Sequence, residues 1–229
     1  MGCDIHAFIE IYDQEEKEWG CHSSPGIWRN YSLFSVLADV RNGYGFAACD
    51  TGDRMNPIDD PRGLPDDVSM VINDDYESWG CDAHSASYLS LRELLDYDWD
   101  QMSVERGIVS LGEYLAMKIE GRITPRSYCG GTNQNVISLE QFQKNVDHLI
   151  EPIKKLVGYN VLKTPEEKHE YIINAIRRIL EVREQAKNCL MQWEESYRDL
   201  CEDFLENVVV GMEGLGDPDD VRLVFWFDN

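Results

Sequence analysis

The chain has 229 residues, with 43 Asp and Glu against 21 Lys and Arg, a formal charge of −22, and 43% hydrophobic residues. That length can bury a core without disulfides, and seven scattered cysteines, an odd number, argue against a disulfide framework and for a reducing cytoplasm. The negative charge argues against nonspecific binding to nucleic acid or an anionic membrane, and no apolar run reaches the length of a membrane span, the nearest being the strand-sized 221–227.

In chain order, Ile5, Ala7, Ile9 and Ile11 alternate with Asp4, His6, Phe8, Glu10 and Tyr12, which predicts a strand with one apolar and one polar face. The charged stretch from Asp13 to Glu18 is its turn, and Trp19 starts a return strand. Asn30 is placed to cap a helix over Leu33, Phe34, Val36, Leu37 and Val40 that ends at Asn42-Gly43. Residues 43–67 are dense in Gly, Pro, Asp and Asn, and Tyr44, Phe46, Arg54 and Arg62 mark this long loop as a ligand wall. Capping signals at Ser90/Glu93 and Ser110/Glu113 predict two helices, and Gly130-Gly131 a break. Ser138 and Gln141 open a helix through Leu156, and Thr164-Pro165-Glu166-Glu167 opens a longer one. Its apolar stripe runs through Ile172, Ile176, Ile179, Ala186, Leu190, Trp193, Tyr197, Cys201 and Phe204. Residues 221–229 close the chain as a strand buried on both faces, with the first strand as its partner.

The expected fold is α+β: a small, mainly antiparallel sheet pairing the first and last strands, with a long helical hairpin packed on it or extending from it. Organised as one domain, it has a core of residues 1–135 carrying the functional loops, a helical hairpin at 136–212, and a strand in 213–229 that returns to the core sheet.

The chemistry-bearing pattern is Gly-Cys-Asp-x-His, used twice, at Gly2 to His6 and at Gly80 to His84. On a strand Asp4, His6 and Glu10 share a face and Cys3 takes the other. If the two copies meet, Asp4, His6, Asp82 and His84 give two carboxylates and two imidazoles, a set that suits a divalent metal, Zn, Mn or Fe, with positions left for water and substrate. A Cys2His2 zinc site from Cys3, His6, Cys81 and His84 competes, although Cys3 and His6 diverge on a regular strand. A metal-free Asp-His pair for acid/base work or ligand binding is a third reading, and ordinary core or surface histidines a fourth. Every Lys or Arg between Lys17 and Lys118 is an arginine (Arg29, Arg41, Arg54, Arg62, Arg92, Arg106), a side chain whose rigid fork fits phosphate or carboxylate. The same arginines could equally pair with the abundant Asp and Glu. Walker, Gly-x-Gly-x-x-Gly and Gly-x-Ser-x-Gly motifs are absent from the sequence. Asp4-x-His6 with Gly52-Asp53 is similar to the calcineurin-like metallophosphoesterases, but the Asn-His pair of that family has no counterpart here.

Met1-Gly2-Cys3-Asp4-Ile5-His6, Arg29-Asn30-Tyr31, the run from Leu37 to Asn42, Pro61-Arg62-Gly63-Leu64-Pro65 and Phe225-Trp226-Phe227-Asp228-Asn229 together resemble a family of uncharacterised bacteriophage and bacterial proteins. The resemblance covers the first hundred and last ten residues and implies a phage or prophage origin, with the host cytoplasm as the working compartment. In that family the second segment reads Gly-His-Ser-His-Ser; His84 and Ser85 match it, while Ala86 replaces the second histidine. The family carries no assigned activity, and the comparison leaves Asp4, His6 and His84 as the most transferable catalytic candidates; Arg29, Tyr31, Arg41, Arg54, Arg62, Ser85 and Asp228 are the expected ligand-binding residues. The expected activity is a metal-dependent hydrolase acting on a nucleotide or another phosphate-containing small molecule. The alternatives are a binder that sequesters a nucleotide-like ligand and an acidic inhibitor of a basic host protein.

Overall fold

The computed structural model describes residues 2–45, 48–129, 136–157, 164, 167, 174, 177–179, 181 and 188–228. In chain order the elements are β1 (Asp4–Asp13), β2 (Glu18–Ser23), α1 (Tyr31–Ala38), α2 (Met70–Trp79), β3 (His84–Ser90), α3 (Leu91–Asp96), β4 (Met102–Ser110), α4 (Leu111–Glu120), β5 (Val136–Ile137), α5 (Leu139–Val146), α6 (Ile150–Val157), β6 (Asn188–Ser196) and β7 (Val221–Asp228). The fold is α+β, and none of the described helices is long and apolar enough to cross a membrane. Two compact units emerge: Met1–Ala48, Asp53–Ser103 and Glu195–Asn229 form one, and Cys49–Gly52 with Val104–Glu194 the other.

The first unit is built on an antiparallel sheet in the order β2-β1-β7-β3. The terminal strand β7 lies between β1 and β3, in register from Asp4 opposite Asp228 to Ile11 opposite Val221. Its central place explains why all of its residues except Asp228 are buried, as an apolar composition on both faces requires. On one face Cys3, Ala7, Ile9, Leu223, Phe225 and Phe227 join a core with Leu33, Phe34 and Leu37 of α1. The cap of α1 is as expected: Asn30 Oδ1 accepts from Ser32 and Leu33 N–H at 3.0 and 3.2 Å, while its Nδ2 donates to the Leu200 carbonyl at 2.6 Å. The helix stops at Asp39, in the left-handed region at φ 56°, three residues before Asn42.

The other face departs from the expected polar surface. Phe8, Val224 and Trp226 cluster with Ile72, Tyr76 and Trp79 of α2, so this face of β1 is covered as well. Glu10 is fully buried there because Arg222 lies directly opposite it on β7. Arg222 Nε donates to Glu10 Oε2 at 2.7 Å and Nη1 to Asp67 Oδ1 at 2.8 Å, with the guanidinium 3.9 Å from the Trp19 ring centroid. A buried charge needs such partners on every side.

The long loop after α1 is an anchored structure. Buried Asn42 donates Nδ2 to the Met55 carbonyl at 2.8 Å and accepts the Met55 N–H at 2.7 Å, imitating a strand partner with one amide. Ile58 N–H bonds to Val36 O and Gly63 N–H to Ala86 O, both at 2.8 Å. Asn42→Ala should cost about 2–3 kcal/mol, because the peptide groups of buried Met55 lose their partner. Urea unfolding measures the loss, and a change below about 0.5 kcal/mol would show that water replaces the amide without penalty.

The second unit carries a sheet in the order β4-β6-β5, with β5 parallel to β6. Tyr114, Phe142, Leu149 and Trp193 form its core with Met117 of α4 and Val146 of α5. Ser110 and Ser138 cap α4 and α5 through Glu113 and Gln141 N–H, at 3.2 and 3.3 Å. The Thr164 start signal is formed reciprocally, Thr164 N–H to Glu167 Oε2 at 3.1 Å and Glu167 N–H to Thr164 Oγ1 at 3.2 Å. Most of the helix expected beyond it, including Ile172, Ile176 and Ala186, lies outside the described residues, as do Phe46, Gly130-Gly131 and Asn229.

Where the helical stripe was expected to continue, residues 188–196 are a strand. Cys189, Met191 and Trp193 are buried while Leu190, Gln192 and Glu194 are exposed, a period of two. Helical structure resumes only at Tyr197–Leu200 and Glu202–Phe204, followed by a π-helical stretch at Leu205–Val209 and a last turn at Val210–Glu213.

Candidate functional site

The site residues gather at one end of the first unit's sheet, where β1 begins and β7 finishes. Paired residues on neighbouring strands project to the same face. Asp4 therefore shares a face with Asp228, and His6 with Trp226. Asp228 Oδ1 accepts the Asp4 N–H at 3.1 Å, and its Oδ2 lies 3.3 Å from His6 Nε2. A carboxylate accepts only, so this contact assigns the proton to Nε2 and leaves the lone pair on Nδ1. Among the described residues, none hydrogen-bonds Nδ1. The imidazole is fixed further by Trp79, with ring centroids 4.0 Å apart, and by stacking on Trp226 at 5.7 Å. The two side chains keep 25% and 22% exposure, enough for a ligand to reach them.

Arg29 closes this face. Its Nε donates to Asp4 Oδ1 at 2.8 Å and its Nη2 to Oδ2 at 2.5 Å, a two-pronged clamp that holds the Asp4 carboxyl below the usual carboxylate range. Gly2 makes the clamp fit. A methyl at residue 2 would collide with Arg29 Nη1 and stand 2.7 Å from Cζ.

The opposite face of the same end holds a second cluster. His84 is in register with Phe227, not Trp226, and stacks on it at 6.0 Å. Its Nε2 lies 3.9 Å from Cys3 Sγ, and its Nδ1 lies 3.1 Å from Ser85 Oγ. Burial pushes the Cys3 thiol up, while a hydrogen bond from Arg41 pulls the other way. The Arg41 guanidinium also lies 5.8 Å from the Tyr31 ring centroid. Arg41 and Ser85 both sit in the left-handed region, at φ 58° and 50°, so two side chains of this cluster are held by backbone that non-glycine residues rarely adopt.

The residues expected to form one metal set are thus distributed. Asp4 and His6 stand together on one face, His84 on the other, and Asp82 is exposed in the 3-10 turn Gly80–Asp82. Among the described residues no group of three or more His, Cys, Asp and Glu is placed to hold a metal ion. The cause is register: one residue of shift across β7 turns a side chain to the opposite face. Among the expected ligand-binding residues, Arg29 and Asp228 meet on the His6 face, and Tyr31, Arg41 and Ser85 join the His84 cluster. Arg54 is paired with Asp39 at 2.6 Å, and Arg62 with Asp59 and Glu93 at 2.5 Å each. Burial pushes Glu93 up, but its bonds to Arg62 and Ser90 outweigh that and hold the carboxyl low.

Two participants were not foreseen, Trp79 and Trp226 as the stacking neighbour of His6, whereas Cys3 and His84 meet as two members of the Cys2His2 alternative. Trp79 stands directly before the second Gly-Cys-Asp-x-His, which is the one local signal that could have marked it. No family profile, curated protein or solved structure matches the chain.

Proposed function

We propose that the Asp4, His6, Arg29 and Asp228 face binds a phosphate-bearing small molecule and that His6 takes a proton from the water that attacks it. The observation that carries this reading is the His6–Asp228 pair, with Nε2 held at 3.3 Å and Nδ1 turned to no described partner. A carboxylate on one imidazole nitrogen fixes tautomer and ring orientation and supports the positive charge that forms when the other accepts a proton. Arg29 supplies the anion contact. Two of its N–H groups serve Asp4, and the half-exposed guanidinium has donors left over.

The geometry favours the metal-free form of the reading over a Zn, Mn or Fe enzyme. Arg29 already occupies both oxygens of Asp4, and the Asp4 N–H and His6 occupy those of Asp228, so both carboxylates of this face are spent. The test is phosphorus NMR of the full chain with a panel of phosphomonoesters. Inorganic phosphate should appear, the rate should survive a chelator, and Gly2→Ala should weaken ligand binding about tenfold by displacing the Arg29 head group. Binding without release would reduce the function to sequestration. Absence of any shifted ligand resonance at millimolar concentration would sink the reading.

A further inference from the structure

We infer that α2 is the lid of the His6 site, pinned at its start and free at its end, and that it swings Trp79 off the imidazole to admit the ligand; the admission step rests on the phosphate reading above. Trp79 is the last residue of the helix, and its ring centroid lies 4.0 Å from that of His6. Indole and ligand therefore compete for one imidazole. The 25% exposure of His6 lets a ligand touch the ring, and departure of Trp79 widens that opening.

The packing under α2 is thin. Of its ten residues Ile72 is the one fully buried, while Met70 and Val71 in the same turn are 76% and 64% exposed. Segments with so few buried apolar contacts open at a lower cost than the sheet beneath them. The seam is also imperfect. Among the described residues, the buried side-chain polar atoms without a hydrogen-bond partner are Trp226 Nε1 and Ser69 Oγ. Trp226 packs with Ile72, Tyr76 and Trp79, the Tyr76 ring meeting it edge to face at 5.3 Å, and Ser69 is the N-cap of α2, with no side-chain bond to the helix. An unpaired donor is penalised while the seam is shut and reaches water when α2 lifts, which for Trp226 alone shifts the balance toward opening roughly tenfold.

The two ends of the helix are held differently. At the start, the Ser69 N–H donates to Glu10 Oε1 and Arg222 Nη1 to Asp67 Oδ1, both at 2.8 Å, so the buried Glu10–Arg222 pair pins it. At the end, Gly80 takes φ 56° with nothing within 4 Å of where a Cβ would stand, and the exposed turn Gly80–Asp82 follows. A ten-residue helix is about 15 Å long, so a tilt of about 20° at Ser69 carries Trp79 about 5 Å from His6.

The test is hydrogen exchange of the full chain by NMR, joined to calorimetric titration with glycerol 3-phosphate. Amides of α2 should exchange through a local opening, about tenfold or more faster than those of β1 and β7, and saturating ligand should speed them further. Trp79→Ala, which removes the competitor, should bind the ligand about tenfold tighter. Gly80→Ala places a Cβ on a left-handed backbone and strains the closed form alone, so it should speed α2 exchange and tighten binding by one and the same factor, about tenfold, with β7 exchange unchanged. Exchange of α2 no faster than that of β7, weaker binding by Trp79→Ala, or a Gly80→Ala variant that speeds exchange without tightening binding would overturn the lid while the phosphate reading stands. Binding by no variant would overturn the phosphate reading, and α2 exchange would then decide the lid by itself.

Discussion

Turnover of a phosphomonoester should fall about 10²- to 10⁴-fold in His6→Asn, with KM nearly unchanged, because a general base acts in the transition state and not in ground-state binding. Asp228→Asn should fall by a similar factor for a different reason. Its amide can present an N–H where the carboxylate accepted one, which favours the tautomer with the proton on Nδ1 and removes the lone pair that would take the substrate proton. Since the two residues act as one unit, the double variant should be no worse than either single one. Steady-state kinetics on folded variants, verified by circular dichroism, give the answer. A His6→Asn enzyme with wild-type kcat/KM would assign the proton transfer elsewhere.

Arg222→Met should destabilise the protein by about 3–5 kcal/mol, a large share of what holds a domain of this size together. The loss comes from Glu10, which remains fully buried with a charge whose main partner, at 2.7 Å, is gone. Its other hydrogen bond among the described residues, from the Ser69 N–H to Oε1 at 2.8 Å, is not enough to replace a guanidinium. Removing both charges together, as Glu10→Leu with Arg222→Met, should recover most of the stability. Urea unfolding of the wild type, both single variants and the double variant measures the coupling directly. A double variant as unstable as Arg222→Met alone would show that shape and stacking on Trp19, not charge compensation, govern the site.

Much of this was legible in the residues. The alternation of Ile5, Ala7 and Ile9 defines β1, the run of apolar residues defines β7, and two strands of that kind in one small sheet have good reason to pair. Asp4 and His6 could be named as candidates from the twice-used Gly-Cys-Asp-x-His pattern, while their meeting with Asp228 follows from the pairing of β1 with β7. What the sequence does not carry is register between distant strands. The spacing Asp4-x-His6 is repeated by Asp82-x-His84, yet only the alignment of β3 on β7, with its irregularity between His84 and Ser87, decides that His84 faces Cys3. Burial of Glu10 was hidden too, because the polar half of an alternating strand looks like a solvent face until α2 is seen to cover it. At β6 two periods overlap: positions 190, 193 and 197 fit a helical stripe, while 189, 191 and 193 fit a strand, and the core selected the second.

The pairing of β1 with β7 also sets an order of events. His6 and Asp228 are 222 residues apart in the chain, so their contact forms only when one of the longest loops available to this polypeptide closes. Loop-closure entropy rises slowly with length, but contacts this distant cannot guide early collapse. The stretch Val104–Glu194 lies inside that loop and makes its own compact unit, and its formation from nearer contacts shortens the span still to be closed. Until β7 docks, β1 and β3 each keep an open edge, the state in which sheets associate wrongly. The His6–Asp228 pair thus forms only once β7 has docked, and until then the histidine stands without its carboxylate.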